Sequence, residues 1–260
     1  GVYTAESFLD DDGRTFGRPL RIKVRVAVAG STMRVDFAAM HPQVNSPLNS
    51  GRSGGIAAAR RNMGGCSFFG FHDDGSRFQL MHIFGGGWGG RPHEDGESAA
   101  VSVCQGDVRN TPVELQEIKC PFIIEQHALR RDSGGAGEHR GGLGIALTYR
   151  CLRDCRGNIN FDRTVTPPWG LHGGRPGAVS VAMIERADGT RQTVQKATDV
   201  QFRAGDRVTL FTAGGGGYGD PKKRARQMIE RDITMGFVSA EAARTDYGHA
   251  GSPEKIAANS

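Results

Sequence analysis

Four glycine clusters, each with polar or aromatic neighbours, are the places in this sequence where chemistry could reside. They are Gly85-Gly86-Gly87-Trp88-Gly89-Gly90; Asp132-Ser133-Gly134-Gly135-Ala136-Gly137, running on into Arg140-Gly141-Gly142-Leu143-Gly144; Pro168-Trp169-Gly170-Leu171-His172-Gly173-Gly174; and Gly214-Gly215-Gly216-Gly217-Tyr218-Gly219. Glycine lets a ligand or a second backbone come close, at a cost of about 0.5–1 kcal/mol per residue relative to alanine within regular structure. Such clusters therefore signal a geometric requirement. Asp132, Glu138, His139 and Arg140 form a dense polar group beside this backbone. Arg140 could hold a carboxylate or phosphate through two parallel hydrogen bonds. It could equally lock its own loop, and the residues leave both readings open.

The last cluster satisfies G-x-G-x-x-G at Gly214, Gly216 and Gly219, after the apolar stretch VTLF and before a helix signal. A dinucleotide site needs a βαβ unit with a further parallel strand and an acidic residue about 20 positions on. Asp232 falls inside the expected helix instead, so a tight structural turn is the better reading. Ser133 lacks the G-x-S-x-G elbow of a serine nucleophile and reads as a turn or cap hydroxyl. His72, Asp73 and Asp74, then His82, His93 and Asp95, have neither HExxH nor paired CxxC spacing. Cys151 and Cys155 have no second pair to complete a zinc site. Asp10-Asp11-Asp12-Gly13 lacks the alternating ligands and closing glutamate of a calcium loop. No metal site is expected in this chain.

The elements that must position these clusters are mostly strands. Leu20, Ile22, Val24, Val26 and Val28 alternate with Arg21, Lys23 and Arg25, and Met33, Val35 and Phe37 alternate after the turn at 29–31. The pattern predicts a β-hairpin over 20–37. Residues 45–65 read as a glycine-rich loop or crossing segment with one helix-compatible piece at 56–61. Further short strands are expected at 77–84, 98–103, 121–128, 143–150, 178–185 and 207–212. Helix signals appear only near the C-terminus. Asp220 and Pro221 start a helix over 221–235 that stops at Gly236, and Ser239 caps a second one to about Asp246. The run Lys222-Lys223-Arg224 with Arg226 reads as a solvated helix face.

The expected class is thus α+β, predominantly β. A β-rich body of short strands and glycine-rich loops carries a C-terminal helical pair. The divisions fall at 1–62 for the hairpin and crossing segment, 63–220 for the body, and 221–260 for the helical pair and tail, all expected within one continuous domain. Composition agrees: 37% hydrophobic and 23% charged residues are those of a globular protein. The 39 glycines among 260 residues are about twice the average share of roughly 7%. They lack the G-X-Y period of collagen. A net charge of +5, without arginines interleaved among aromatics, gives no sign of a nucleic-acid partner. No apolar run is long enough to cross a membrane. The acidic start at 1–12 and five thinly spread cysteines point to reduced thiols and the cytoplasm.

Taken in order, the clusters resemble the hydantoinase B/oxoprolinase family. The resemblance is carried by SFLDDDG at 7–13, VDF at 35–37, Asp95-Gly96, PVELQE at 112–117 and DSGGAGEHRGGLG at 132–144. PPWGLHGGRPG at 167–177, TAGGGGYGDP at 212–221 and the end RDITMGFVSAEAARTDYG at 231–248 complete it. It implies one component of an ATP-dependent machine that opens cyclic amides such as hydantoins or 5-oxoproline, or in related members carboxylates ketones. A hydantoinase A-type partner binds ATP and phosphorylates the substrate, and the B-type component completes the active centre. Phosphorylating an amide or carbonyl oxygen makes a stable lactam or enolate precursor reactive.

The resemblance covers the C-terminal half of a family member, with the segment between Asn49 and Gly65 shortened. In the family the N-terminal half carries the Asp and His residues that bind a divalent metal. The resemblance therefore implies ATP and the metal on partner chains, none held by this chain alone. The chain is expected to be a split subunit, a processed piece or a degenerate copy with a scaffolding role. Asp132 and Arg140 are the expected catalytic residues, making polar contacts to a small-molecule substrate. Trp169 and Tyr218 are expected as apolar or stacking walls. The loops around them (Ser133, Gly134, Gly135, Gly137, Gly141, Gly142; Gly170, Gly173, Gly174; Gly214, Gly215, Gly216, Gly217) are expected to line the substrate cavity or a subunit interface. A non-catalytic structural subunit, with the same loops packed on a partner, is the rival expectation.

Overall fold

The computed structural model describes residues 1–9, 17–30, 32–39, 41–42, 64–101 and 111–249, and it divides at residues 61 and 62 into two units. Among its described residues the first unit forms a three-stranded antiparallel sheet of β1 (Val2–Leu9), β2 (Leu20–Ala29) and β3 (Thr32–Asp36), in that order. The hairpin β2–β3 follows the alternation of its residues and turns at Gly30, whose φ is +57°. Register places Tyr3 opposite Val26 and Val26 opposite Val35, so one face is apolar. Strand β1 was not expected from the pattern; its residues VYTAESFL alternate only weakly.

Among its described residues the second unit holds two antiparallel sheets. Strands β4 (Gly64–Phe71), β5 (Arg77–Phe84), β8 (Cys155–Phe161) and β11 (Ala197–Phe202) make a sheet of order β11-β8-β4-β5. Strands β6 (Phe122–Leu129), β7 (Ile145–Cys151), β9 (Val181–Glu185), β10 (Arg191–Val194) and β12 (Arg207–Phe211) make one of order β10-β9-β12-β7-β6. Both sheets contribute to one buried core in which Phe68 is central. Its ring lies 4.9 Å from Phe122 and 5.5 Å from both Tyr149 and Phe202. Aromatic rings at such spacings supply large buried area and a further about 0.5–1.5 kcal/mol per pair.

Strand β4 corrects the reading of Gly64-Gly65 as the end of a loop. Its sequence GGCSFFGF carries glycine at positions that a phenylalanine occupies from the neighbouring strand. Gly64 is registered against Phe161, Gly70 against Phe78, and Gly157 of β8 against Phe68. A Cβ on Gly70 would come within 2.8 Å of the Phe78 ring, and one on Gly157 within 2.8 Å of Phe68. The ring fills the space that the glycine leaves open, an arrangement known to stabilise glycine in strands. The helix-compatible piece at 56–61 lies outside the described residues.

Three further expectations change. Helix α1 (Val113–Lys119) forms well before the C-terminus and buries Gln116. The stretch 98–103 forms no strand where it is described: a single bridge joins Ala100 to Gly86, and Ala99 has a φ of +53° that breaks extended pairing. The helix expected at 221–235 divides into a 3₁₀ turn (Pro221–Lys223) and α2 (Arg226–Thr234), because the backbone extends at Arg224 and Ala225. Its cap is as expected, with the Asp220 side chain accepting from the Lys222 amide at 2.9 Å. Gly236 ends the segment with φ +71°, and Ser239 caps α3 (Ala240–Tyr247) through the Ala242 amide at 3.0 Å. The class is α+β and predominantly β.

Candidate active-site loops

Beyond Phe211 the chain leaves β12 and continues as a glycine-rich strand-like segment that belongs to no sheet. A Cβ on Gly214 would overlap the Ser133 carbonyl, one on Gly215 the Trp88 carbonyl, and one on Gly216 the Trp169 carbonyl. On Gly217 it would overlap the carbonyl of Ala136, which belongs to the same loop that Gly214 faces. The direction of contact thus returns after three residues, the period of a polyproline II helix. None of the four has a positive φ. Closeness of approach demands glycine here, not backbone handedness.

The other three clusters surround this strand and bond to it through backbone amides. Gly135 donates to Gly215 at 2.8 Å, Gly90 to Gly216 at 2.8 Å and Leu171 to Gly217 at 2.9 Å. In return Gly215 donates to Gly142 and Gly217 to Arg175, both at 2.9 Å. Gly134 abuts Gly141, Gly137 abuts Tyr218, Gly170 abuts Gly174, and Gly174 abuts Gly217. All four sequence clusters therefore interlock in a single sheaf. Backbone fills the space beside Gly214 and Gly216, so the G-x-G-x-x-G string is not a phosphate cradle. Gly173 differs: its φ is +95°, a Cβ there would meet nothing nearer than the Asp220 amide nitrogen at 3.8 Å, and His172 beside it has a φ of +52°.

The predicted polar residues hold this sheaf to the C-terminal helices. Asp132, with a φ of +59°, is exposed, and its Oδ1 accepts from the Ser239 amide at 2.7 Å, while its own amide donates to Phe237 at 3.0 Å. The buried Ser133 hydroxyl donates to the Arg130 carbonyl at 2.6 Å and accepts from the Gly144 amide at 3.0 Å. Arg140 is buried. Its Nε donates to Asp232 Oδ2 at 3.3 Å and one Nη to the Gly141 carbonyl at 2.6 Å, with the guanidinium over the Phe237 ring.

Arg224 corrects the reading of its run as a solvated face. Lys222, Lys223 and Arg226 are exposed, but the Arg224 side chain is only 1% exposed. Its two Nη atoms donate to the two oxygens of Asp95 at 2.7 Å each, and to Asp232 Oδ2 at 2.7 Å. Burial pushes the Asp95 carboxyl up, but the hydrogen bonds and charge of Arg224, with Arg140, outweigh it and hold the group below its ordinary range. Burial likewise lowers Arg224, and its two carboxylate partners more than reverse this. Tyr247, under the Arg224 guanidinium, is pushed up to about 12 by burial. No feature of the basic run singles out Arg224; only its distant carboxylates do.

The sheaf presents an exposed aromatic face. Trp169 is 51% exposed, with the Arg163 guanidinium 5.2 Å from its ring. Leu171 is also exposed, and the His172 ring lies 4.9 Å from Tyr218. His72, Asp73 and Asp74 stay together beside Ser76 and Arg153, whereas His82 lies in the core. Asp73 pairs with Arg153, Asp74 accepts from the Ser76 hydroxyl and amide, and His82 Nδ1 meets the Tyr149 hydroxyl at 2.6 Å inside the core. Among the described residues no three His, Cys, Asp or Glu side chains gather in a metal-binding group. No helix among them is long and apolar enough to cross a membrane.

Residues 53–221 match the family model described as hydantoinase B/oxoprolinase. An uncharacterized protein of Methanocaldococcus jannaschii is 39% identical over 138 residues, 53% of this chain and 24% of that protein. The caprolactamase subunit beta of Pseudomonas jessenii is 34% identical over 153 residues, 56% of this chain and 26% of the subunit. The crystal structure of the ATP-dependent caprolactamase from the same organism superposes with a TM-score of 0.76 at 20% identity, covering 98% of this chain and 57% of that one. The aligned part of this chain thus spans between about a quarter and just over half of the length of these relatives. With its four glycine clusters joined in one sheaf and the family match running through all of them, this chain belongs to the hydantoinase B/oxoprolinase family.

Proposed function

We propose that the chain is a B-type component of an ATP-dependent complex that opens cyclic amides of the hydantoin, 5-oxoproline or lactam type. An A-type subunit binds ATP and phosphorylates the amide oxygen, and a chain corresponding to the N-terminal half of the B-type subunit brings the divalent metal. This chain supplies the wall of the substrate cavity. The observation that carries the reading is the exposed Trp169, backed by Arg163 and mounted on a loop whose backbone is locked into the sheaf. A flat apolar ring held rigidly suits the face of a small cyclic amide, because an aromatic placed in advance loses little entropy on binding.

In this reading Asp132 and Arg140 act through the loop between them. Arg140 fixes it from inside through Asp232, and Asp132 ties its start to Ser239. The 34% identity to a caprolactamase subunit supports ring opening. The free thiols of Cys66, Cys120, Cys151 and Cys155 suit the cytoplasm.

The test is to combine the chain with an A-type subunit and an N-terminal-half chain and to follow ATP hydrolysis dependent on a hydantoin or lactam. Trp169→Ala is expected to raise KM for the cyclic amide at least tenfold, corresponding to about 1.4 kcal/mol of lost binding, while the complex still assembles. Unchanged kinetics in that variant would remove the wall from the mechanism. ATP turnover that responds to ketone and bicarbonate, but not to any cyclic amide, would assign the carboxylating reaction instead.

A further inference from the structure

We propose that the buried cluster Asp95–Arg224–Asp232–Arg140 is a positioning device that sets the aromatic face of the glycine sheaf through the C-terminal helices, making Arg224 and Asp232 positioning residues. The proposal rests on the functional reading above only where it speaks of turnover. The cluster is balanced in charge: two arginines face two carboxylates, with the Arg140 and Asp232 side chains each 5% exposed and Asp95 20% exposed. Asp95 Oδ1 also accepts from the Arg140 amide at 2.7 Å, and the Gly96 amide donates to the Arg140 carbonyl at 2.8 Å. One guanidinium therefore reads three segments at once, Asp95, Asp232 and the Glu138 carbonyl at 3.1 Å.

Stability alone does not account for this arrangement. Charges cost several kcal/mol each to bury, and well-packed apolar side chains of similar volume often serve stability as well or better. A bidentate guanidinium adds what apolar packing lacks, which is fixed direction. The direction is transmitted over a short path. Beyond Glu138, His139 and Tyr218 exchange backbone hydrogen bonds at 3.0 and 2.9 Å, and Leu171 bridges Gly217 and Gly219 at 2.9 Å on each side. Leu171 stands two residues from Trp169 in the same loop. The break of the expected long helix at Arg224 is explained in the same way, since an extended backbone there turns the guanidinium inward.

The experiment uses Trp88→Phe as background, so that Trp169 is the sole tryptophan, and compares Arg224→Lys and Asp95→Asn with Asp206→Asn. Lysine keeps the charge of Arg224 and loses the fork, whereas Asp206 lies in a separate buried network at the Arg203–Arg207 turn. With far-UV circular dichroism unchanged, Arg224→Lys is expected to shift Trp169 emission to the red and to increase its quenching by acrylamide. Asp206→Asn is expected to leave both as they were. In the assembled complex kcat should fall about 10–100-fold in Arg224→Lys, the scale of loss for a misplaced positioning contact. If Arg224→Lys does not fold, Asp95→Asn is read in its place. Trp169 emission and quenching no different from those of Asp206→Asn would overturn the proposal. A complex without cyclic-amide turnover would overturn the functional reading alone, because the fluorescence arm needs no substrate.

Discussion

The Gly215 α-carbon faces the carbonyl of Trp88 so closely that a side chain of any size would overlap it. That carbonyl accepts the Gly142 amide at 2.8 Å, and Gly142 in turn accepts from Gly215 at 2.9 Å. Three loops thus share one point with no free volume. Gly215→Ala has to separate backbones, not rotate a side chain, and should cost more than the about 1–3 kcal/mol typical of overpacking. Gly89→Ala is the matched control, since its Cβ would meet nothing nearer than the Gly216 carbonyl at 3.7 Å. Thermal denaturation should show a large loss for the first and little change for the second.

How much of this was legible follows from where the information lies. The hairpin of β2 and β3 is visible because its own residues alternate, and the caps at Asp220 and Ser239 because capping is local in sequence. Strand β4 is not visible, because what makes GGCSFFGF a strand is supplied by Phe161 and Phe78 on its neighbours. Clustered glycine announces close approach but not what approaches, so the convergence of four loops needed the fold. Arg224 and Lys223 are alike in sequence, and only Asp95 and Asp232 distinguish them.

The buried hydroxyl of Tyr149 joins His82 Nδ1 at 2.6 Å and Gln116 Oε1 at 3.3 Å, tying α1 to both sheets across the core. Burial raises the phenol well above its ordinary value, so it stays protonated through the alkaline range. Tyr149→Phe keeps the ring packing and removes only the oxygen. The expected cost is about 1–3 kcal/mol, the penalty for polar groups left buried without that partner. Urea denaturation measures it, with the slope unchanged from the parent.

Acid should weaken the fold through Asp95 and Asp206. Burial raises Asp206, but the amides of Arg203 and Ala187 and the Arg186 guanidinium outweigh it and leave its pKa lowered. A carboxyl with a lowered folded pKa stabilises fully above its unfolded value of about 3.9, and that contribution is lost as pH falls through the folded value. Stability should therefore rise with pH below about 4, where the unfolded state binds more protons. Asp206→Asn should lower stability at neutral pH and flatten this acid slope, as read from melting temperatures across the range.

Asp132 sits in left-handed backbone at a φ of +59° while its carboxylate holds the Ser239 amide at the start of α3. The two features make opposite demands on a substitution. Asparagine tolerates this backbone and keeps an acceptor oxygen, glycine removes the strain and loses the acceptor, and alanine loses the acceptor and keeps the strain. The expected order of stability is Asp132→Asn, then Asp132→Gly, then Asp132→Ala, with the last two separated by about 1 kcal/mol. The asparagine variant also separates two roles in the assembled complex. A residue that only ties its loop to Ser239 should retain turnover as asparagine, whereas a carboxylate that exchanges a proton with substrate should lose at least about 100-fold. The loop-tying role assigned here predicts retained turnover, with Asp132→Ala impaired in proportion to its lost stability.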